Sequence, residues 1–219
     1  AGLNKMNIST GEVQHFLPDG KPGSISYSNI HALLGDGNDL WIGTYQFGID
    51  KMDLRTNKVV KHYKAGKNSF NSNFIVHLYK TRTGDILAGT WEGLFKYNRN
   101  TDDFSLVPGF AFQTQNITED KDGLLWICTL GNGVFTLDQR TGKIECFRHN
   151  PGNQNSLSNN SVNGQLIDSY GNLWFATEGG LCKYYPAKKI FKTYTTKDGL
   201  PANFIFKILE DKRGNLWVT

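Results

Sequence analysis

Short apolar runs alternate with glycine-rich polar punctuation along the whole chain, and no segment holds a helical period. Residues 171–184, GNLWFATEGGLCKY, give the clearest unit. The runs Leu173-Trp174-Phe175-Ala176 and Leu181-Cys182-Lys183-Tyr184 flank Thr177-Glu178-Gly179-Gly180. Two strand-like runs across a glycine turn predict a β-hairpin. The unit recurs as GNDLWIGTYQFGIDKM at 37–52, GDILAGTWEGLFKY at 84–97 and GLLWICTLGNGVFTL at 123–137. GNLWVT at 214–219 is its first half, and Gly2-Leu3-Asn4-Lys5-Met6 resembles its second half.

The anchors Trp41, Leu87 (in the place of Trp), Trp126, Trp174 and Trp217 lie 46, 39, 48 and 43 residues apart, a period near 44. A repeat of that length decides fold class before any other feature does. Each unit reads as four short strands. Strand A precedes an Asp-x-x-Gly turn, B is the Leu-Trp-x-x-Thr run, C the Gly-Leu-x-x-Tyr run, and D follows a second turn, as at 141–147 and 10–16. The pattern predicts an all-β fold, a β-propeller built from four-stranded blades of about 44 residues. A β-solenoid has shorter coils and accommodates three tight turns per repeat less well.

Residues 1–219 read as one propeller domain or part of one, beginning and ending mid-blade. The first 16 residues supply strands C and D, and a Pro/Gly/Ser loop follows at 17–27. Blade one has strand A near 29–34 and runs on to Tyr63; blade two spans 74–107, with Phe104 and Val107 on strand D. Blade three runs from near Phe112 to Phe147, and blade four covers 161–194. Polar insertions fall at 64–72, 148–159 and 195–203. Two readings of the ends stand: five repeat equivalents close on themselves, or they belong to a larger ring.

Turn chemistry has local causes. In 120–123, 168–171 and 211–214 the Asp carboxylate can accept backbone N–H groups of its own turn, while Gly supplies positive φ. Asn73, Asn160 and Asn203 each stand 14 residues before the Trp position. An Asn there can bond its own backbone and fix the chain entering strand A.

Composition changes this picture little. A net charge of +4 without a Lys/Arg run reads as solvated strand edges, Lys183, Lys188, Lys189 and Lys192 included, and not as a nucleic-acid surface. There is no apolar stretch long enough for a membrane span, so no membrane contact is expected from this segment. Three cysteines, Cys128, Cys146 and Cys182, fill strand positions and read as free thiols.

At this point the repeats resemble a known family. Asn150-Pro151 and 155–162 (NSLSNNSV), then 168–177 (DSYGNLWFAT) and 180–184 (GLCKY), are similar to the two-component regulator propeller repeat. Residues 197–203 (KDGLPAN) through Trp217-Val218-Thr219 are a second close match. The second repeat departs from the pattern, with Leu87-Ala88 in the place of Trp and its neighbour. The resemblance implies a periplasmic sensor region of a hybrid histidine kinase that detects glycan fragments. It also implies an inner-membrane anchor and a kinase elsewhere in the parent. Such rings carry seven blades, which favours a partial ring here.

No catalytic constellation stands out: there is no Gly-x-Ser-x-Gly, no phosphate loop and no Cys-x-x-Cys. The five histidines are dispersed, and His15 and His62 share one strand-D position, so neither metal nor cofactor is expected. Dispersed arginines do not suggest a sialidase. The GNLWF-x-T run is also similar to lyase propellers that open cyclic peptide antibiotics, the enzymatic alternative.

In an A–B–C–D meander the B–C turns and D–A loops emerge on one face. That face carries Tyr45, Gln46, Trp91, Glu92, Asn132 and Glu178. Rings stack on sugar C–H faces and amides bond hydroxyls, so these residues are the candidate ligand-binding set. The expected role is non-catalytic sensing of an oligosaccharide, with the rest of the parent receptor and a homodimer of that parent as partners. The alternative is a purely structural or protein-docking propeller that supports dimerisation.

Overall fold

The computed structural model describes residues 2–66 and 70–219; within the 64–72 insertion, residues 67–69 lie outside the described residues. The chain divides into two compact units, Ala1–Gln113 and Thr114–Thr219. The first unit opens with a hairpin, β1 (Leu3–Met6) with β2 (Val13–Phe16). Two four-stranded meanders follow. One is β3 (Ile30–Asp36), β4 (Asp39–Thr44), β5 (Ile49–Asp53) and β6 (Lys58–Tyr63). The other is β7 (Ile75–Lys80), β8 (Ile86–Thr90), β9 (Leu94–Asn98) and β10 (Asp103–Leu106).

The second unit holds two more meanders and a hairpin. β11 (Thr114–Glu119), β12 (Leu124–Thr129), β13 (Val134–Asp138) and β14 (Ile144–Phe147) form one sheet. β15 (Val162–Ile167), β16 (Leu173–Thr177), β17 (Gly180–Tyr185) and β18 (Ile190–Tyr194) form the next, and β19 (Ile208–Glu210) pairs with β20 (Leu216–Val218). All pairings are antiparallel and sequential, as tight turns dictate. This is the four-strand repeat expected from the sequence.

Three turns define each repeat. At the A–B turn, Asp120 Oδ1 accepts from the amides of Asp122 and Leu124 at 3.0 Å. Asp168 and Asp211 do the same in their repeats. The second carboxylate oxygen does something the sequence did not reveal: it accepts the indole N–H two strand positions on. Trp126 and Trp174 donate to Asp120 and Asp168 at 2.8 Å, and Trp217 donates to Asp211 at 2.9 Å. The turn is thereby tied to the strand it starts.

At the B–C turn a fully buried Thr closes the loop on itself. Thr44, Thr90, Thr129 and Thr177 donate to a glycine carbonyl of their own turn at 2.7–2.9 Å. At the C–D turn a residue with positive φ precedes strand D: Asn57, Asp102 and Lys189 hold φ of 54°, 49° and 52°, where Gly11 and Gly142 hold 75° and 71°. Strand A carries a bulge near its start in all four meanders, at 30/32, 75/77, 114/116 and 162/164. A bulge bends its strand and sharpens the local twist.

Burial follows the Trp positions. Trp41, wholly buried, meets Tyr97 edge-on at 4.7 Å and Phe104 at 5.7 Å on the following sheet. Trp126 meets Tyr184 at 5.0 Å and Phe175 at 5.8 Å in the same way. Each such ring contributes roughly 2–3 kcal/mol of burial. Leu87, at 2% exposure, occupies the equivalent register opposite Tyr79, confirming its place as the Trp substitute. Its turn has also lost the Asp, because Thr81 stands there and accepts the Asp85 amide at 3.0 Å. Without an indole there is no N–H to receive.

Several expectations need correction. Val107 lies beyond β10, which ends at Leu106; its amide instead closes on the Leu94 carbonyl. Strand A of blade one begins at Ile30 and extends to Asp36. The 195–203 insertion contains a single 3₁₀ turn, Thr196–Asp198, capped reciprocally by Thr195 and Asp198. The side chains of the three repeated asparagines reach back to the preceding insertion. Asn73 accepts from the Ala65 amide at 2.9 Å, Asn160 from His149 at 2.8 Å and Asn203 from Thr196 at 2.8 Å. They clamp the preceding insertion.

Candidate ligand-binding face

In the first unit the B–C turns of both meanders bring aromatic rings together. Thr44 and Thr90 hold the turns 44–48 and 90–93 in shape, so the next residues project from the end of the sheets. Tyr45 and Trp91 meet edge to face at 5.7 Å. Phe74, at the entry to β7, stacks on Trp91 with centroids 4.5 Å apart and planes 10° apart, and meets Tyr45 at 5.4 Å. His31 adds a ring 5.0 Å from Tyr45 on its other flank. Backbone bonds fix the arrangement: Tyr45 N–H donates to the Asn29 carbonyl and Trp91 N–H to the Phe74 carbonyl.

Trp91 remains 42% exposed although Phe74 covers one of its faces. A wet indole with a rigid backing is the element that stacks on an apolar ring face. Gln46 is exposed next to Tyr45 in the chain, and Glu92 is bonded to the Ser72 hydroxyl. Of the residues singled out from sequence in this unit, Tyr45 and Trp91 are thus joined directly, with Gln46 and Glu92 adjacent in chain. Phe74 and His31 were missed: each lies on strand A or its entry, where the repeat pattern gives no reason to expect a solvent-facing ring.

In the second unit, Asn132 and Glu178 occupy the equivalent B–C turns. The Asn132 carbonyl accepts from Arg148 Nε at 3.2 Å, and Glu178 is exposed with its amide on the Ser161 carbonyl. Neither turn carries an aromatic residue, so no platform forms there.

Electrostatics elsewhere are structural. Asp102 accepts from Tyr63 and Tyr97 at 2.6 Å and from Lys61 at 2.5 Å. Burial opposes its charge, but the Lys61 and tyrosine bonds outweigh that and bring its carboxyl down to about 2. Tyr63 is pushed upward, by burial first and by the Asp102 bond second. Burial likewise raises the Cys128 thiol, and all three cysteines are free. Among the described residues no group of three or more His, Cys, Asp or Glu side chains could hold a metal. No helix among them is long and apolar enough to cross a membrane.

Sequential four-stranded meanders with a tryptophan anchor define a β-propeller. Comparison with known proteins agrees. The two component regulator propeller family profile matches residues 156–179 and 199–219. A histidine kinase P4 of Formosa agariphila is 27% identical over 191 residues, covering 82% of this chain and 14% of that protein. The extracellular domain of a putative hybrid two component system from B. thetaiotaomicron superposes with a TM-score of 0.77 at 21% identity, over 99% of this chain and 29% of that one. Virginiamycin B lyase from Staphylococcus aureus shares the fold at a TM-score of 0.64 and 15% identity, over 93% of this chain and 65% of its own. The chain therefore spans a small part of the signalling proteins it matches.

Proposed function

We propose that this chain is part of the extracytoplasmic, periplasmic propeller region of a two-component signalling receptor, and that it senses an oligosaccharide without chemical turnover. The observation that carries the reading is the Tyr45–Phe74–Trp91 cluster, where an indole backed by a stacked ring stays 42% exposed. Gln46 and Glu92 stand on the same turns and can bond sugar hydroxyls. The sequence likeness to a histidine kinase and the propeller repeats support the receptor context.

In that context the parent is anchored in the inner membrane and acts as a homodimer. The sugar acts by binding one receptor arrangement better than another, since only differential affinity moves such an equilibrium. Calorimetric titration of the 219-residue chain against a panel of neutral plant and algal oligosaccharides tests the reading. At least one sugar binds, and Trp91→Ala weakens it by about 10-fold or more, the value of a good stacking contact. Unchanged binding in Trp91→Ala, or no binding across the panel, rejects the platform.

A further inference from the structure

A cavity of about 650 Å³ lies in the first unit along the outer edge of β6 beneath the loop 18–26. Its walls carry Lys21, Lys64, His62, Phe47, Val60 and Ser26, and no Asp or Glu is among the lining residues. The loop that roofs it is fixed. Val59 N–H donates to the Gly23 carbonyl at 2.8 Å, and Asp50, with no exposure at all, accepts the Ser26 amide at 2.6 Å. The other Asp50 oxygen lies 2.7 Å from His62 Nδ1.

A carboxylate only accepts, so Nδ1 carries the proton in that bond. His62 Nε2 is left to meet a ligand hydroxyl or, when protonated, an anionic oxygen. The His62 side chain is 45% exposed and lines the cavity. Lys64, exposed at the rim, pairs with no carboxylate among the described residues. Lys61 is held by Asp102, and Lys21 faces Asp19 in an exposed pair at 3.3 Å. Phe47, 45% exposed and backed by Tyr27 at 4.8 Å, supplies a flat apolar wall.

We propose that this cavity binds an anionic, ring-bearing ligand: a saccharide carrying a carboxylate or a sulfate. Lys64 meets the charge, His62 Nε2 meets an oxygen atom, and Phe47 takes the ring's C–H face. The site is separate from the Trp91 platform and does not rest on it, although the turn 44–48 furnishes a residue to each.

The test titrates the full chain with trigalacturonate, galactose 6-sulfate and the neutral trisaccharide maltotriose, followed by calorimetry. At least one anion binds and maltotriose does not displace it; which anion binds identifies the charged group. Lys64→Glu weakens binding by about 10-fold or more, as loss of a charge-assisted bond should. His62→Gln weakens it less, and raising salt from about 0.05 M to about 0.5 M weakens it further. Trp91→Ala leaves it unchanged. Lys64 is exposed, so its variant folds and an unaltered thermal melt verifies this. No anion bound at about 10 mM, a range excluding even weak millimolar binding, overturns the proposal. Binding indifferent to Lys64→Glu, or lost in Trp91→Ala, overturns it equally.

Discussion

Replacing Asp168 by Ala removes a single acceptor that serves five bonds. Its Oδ1 takes the Tyr170 amide at 3.0 Å and the Asn172 amide at 2.7 Å, Asn172 Nδ2 lies 3.1 and 2.8 Å from the two oxygens, and Oδ2 takes the Trp174 indole at 2.8 Å. Asp168 as a residue is only 9% exposed, so the abandoned donors are partly cut off from water. Bonds to a charged acceptor are worth roughly 1.5–3 kcal/mol singly, but these share one group and do not add. The expected loss is about 3 kcal/mol, or a fall in Tm of roughly 6–12 °C for a chain of this size. Trp174→Phe keeps the ring against Tyr194 and loses one bond, costing about 1 kcal/mol. The double variant should show a coupling of about 1–2 kcal/mol, read by urea melts followed through tyrosine and tryptophan fluorescence. The same Asp gives a pH signature. Burial raises its carboxyl, but the Trp174 and Asn172 bonds outweigh that and hold it below the ordinary 3.8. Its stabilisation is therefore full above that value and is lost as pH falls through the depressed folded value. Wild type should lose stability on acidification more steeply than Asp168→Ala. A variant within about 0.5 kcal/mol of wild type, the range of an unremarkable surface change, would refute the clamp.

The first unit offers three further tests. Asp102, held down at about 2, contributes stability that is complete above pH 4 or so and vanishes towards pH 2; Asp102→Asn should flatten that acid limb in a denaturant series. Gly48 has φ of 77°, and a Cβ there would come 2.0 Å from the Tyr63 carbonyl oxygen, so Gly48→Ala should cost about 2–4 kcal/mol in chemical denaturation. Leu87→Trp, which restores the repeat's own consensus, should destabilise by about 1–3 kcal/mol because Leu87 is 2% exposed and Thr81 gives the indole no carboxylate.

The fold was legible because the repeat states each strand several times over, and a turn residue misread in one repeat is corrected by the others. Leu87 was placed correctly despite its chemistry, since Thr90 follows at the same spacing as Thr44 follows Trp41. The same repetition hid what differs. The Asp–indole bond needs Oδ2 and Nε1 within reach across a turn, and spacing alone does not give side-chain direction. In the first meander the turn is shorter, Asp36 pairs with Lys80 and Arg99, and Trp41 Nε1 is buried without a partner. Tyr45 and Trp91 were found as loop aromatics, whereas Phe74 and His31 were passed over as strand residues. The cavity beside β6 was invisible for another reason. It joins Lys21 and Ser26 to His62 and Lys64, about forty residues away, and the repeat pattern had assigned His62 a merely structural place.

The sensing account stands most directly on one comparison: oligosaccharide affinity in Trp91→Ala against Trp217→Ala. Both indoles are exposed, at 42% and 63%, but only Trp91 is backed by Phe74 and flanked by Tyr45. Titration calorimetry should give a loss of about 10-fold or more for Trp91→Ala and wild-type affinity for Trp217→Ala. Equal losses in the two variants, or no loss in either, would contradict a sugar platform on the B–C turns.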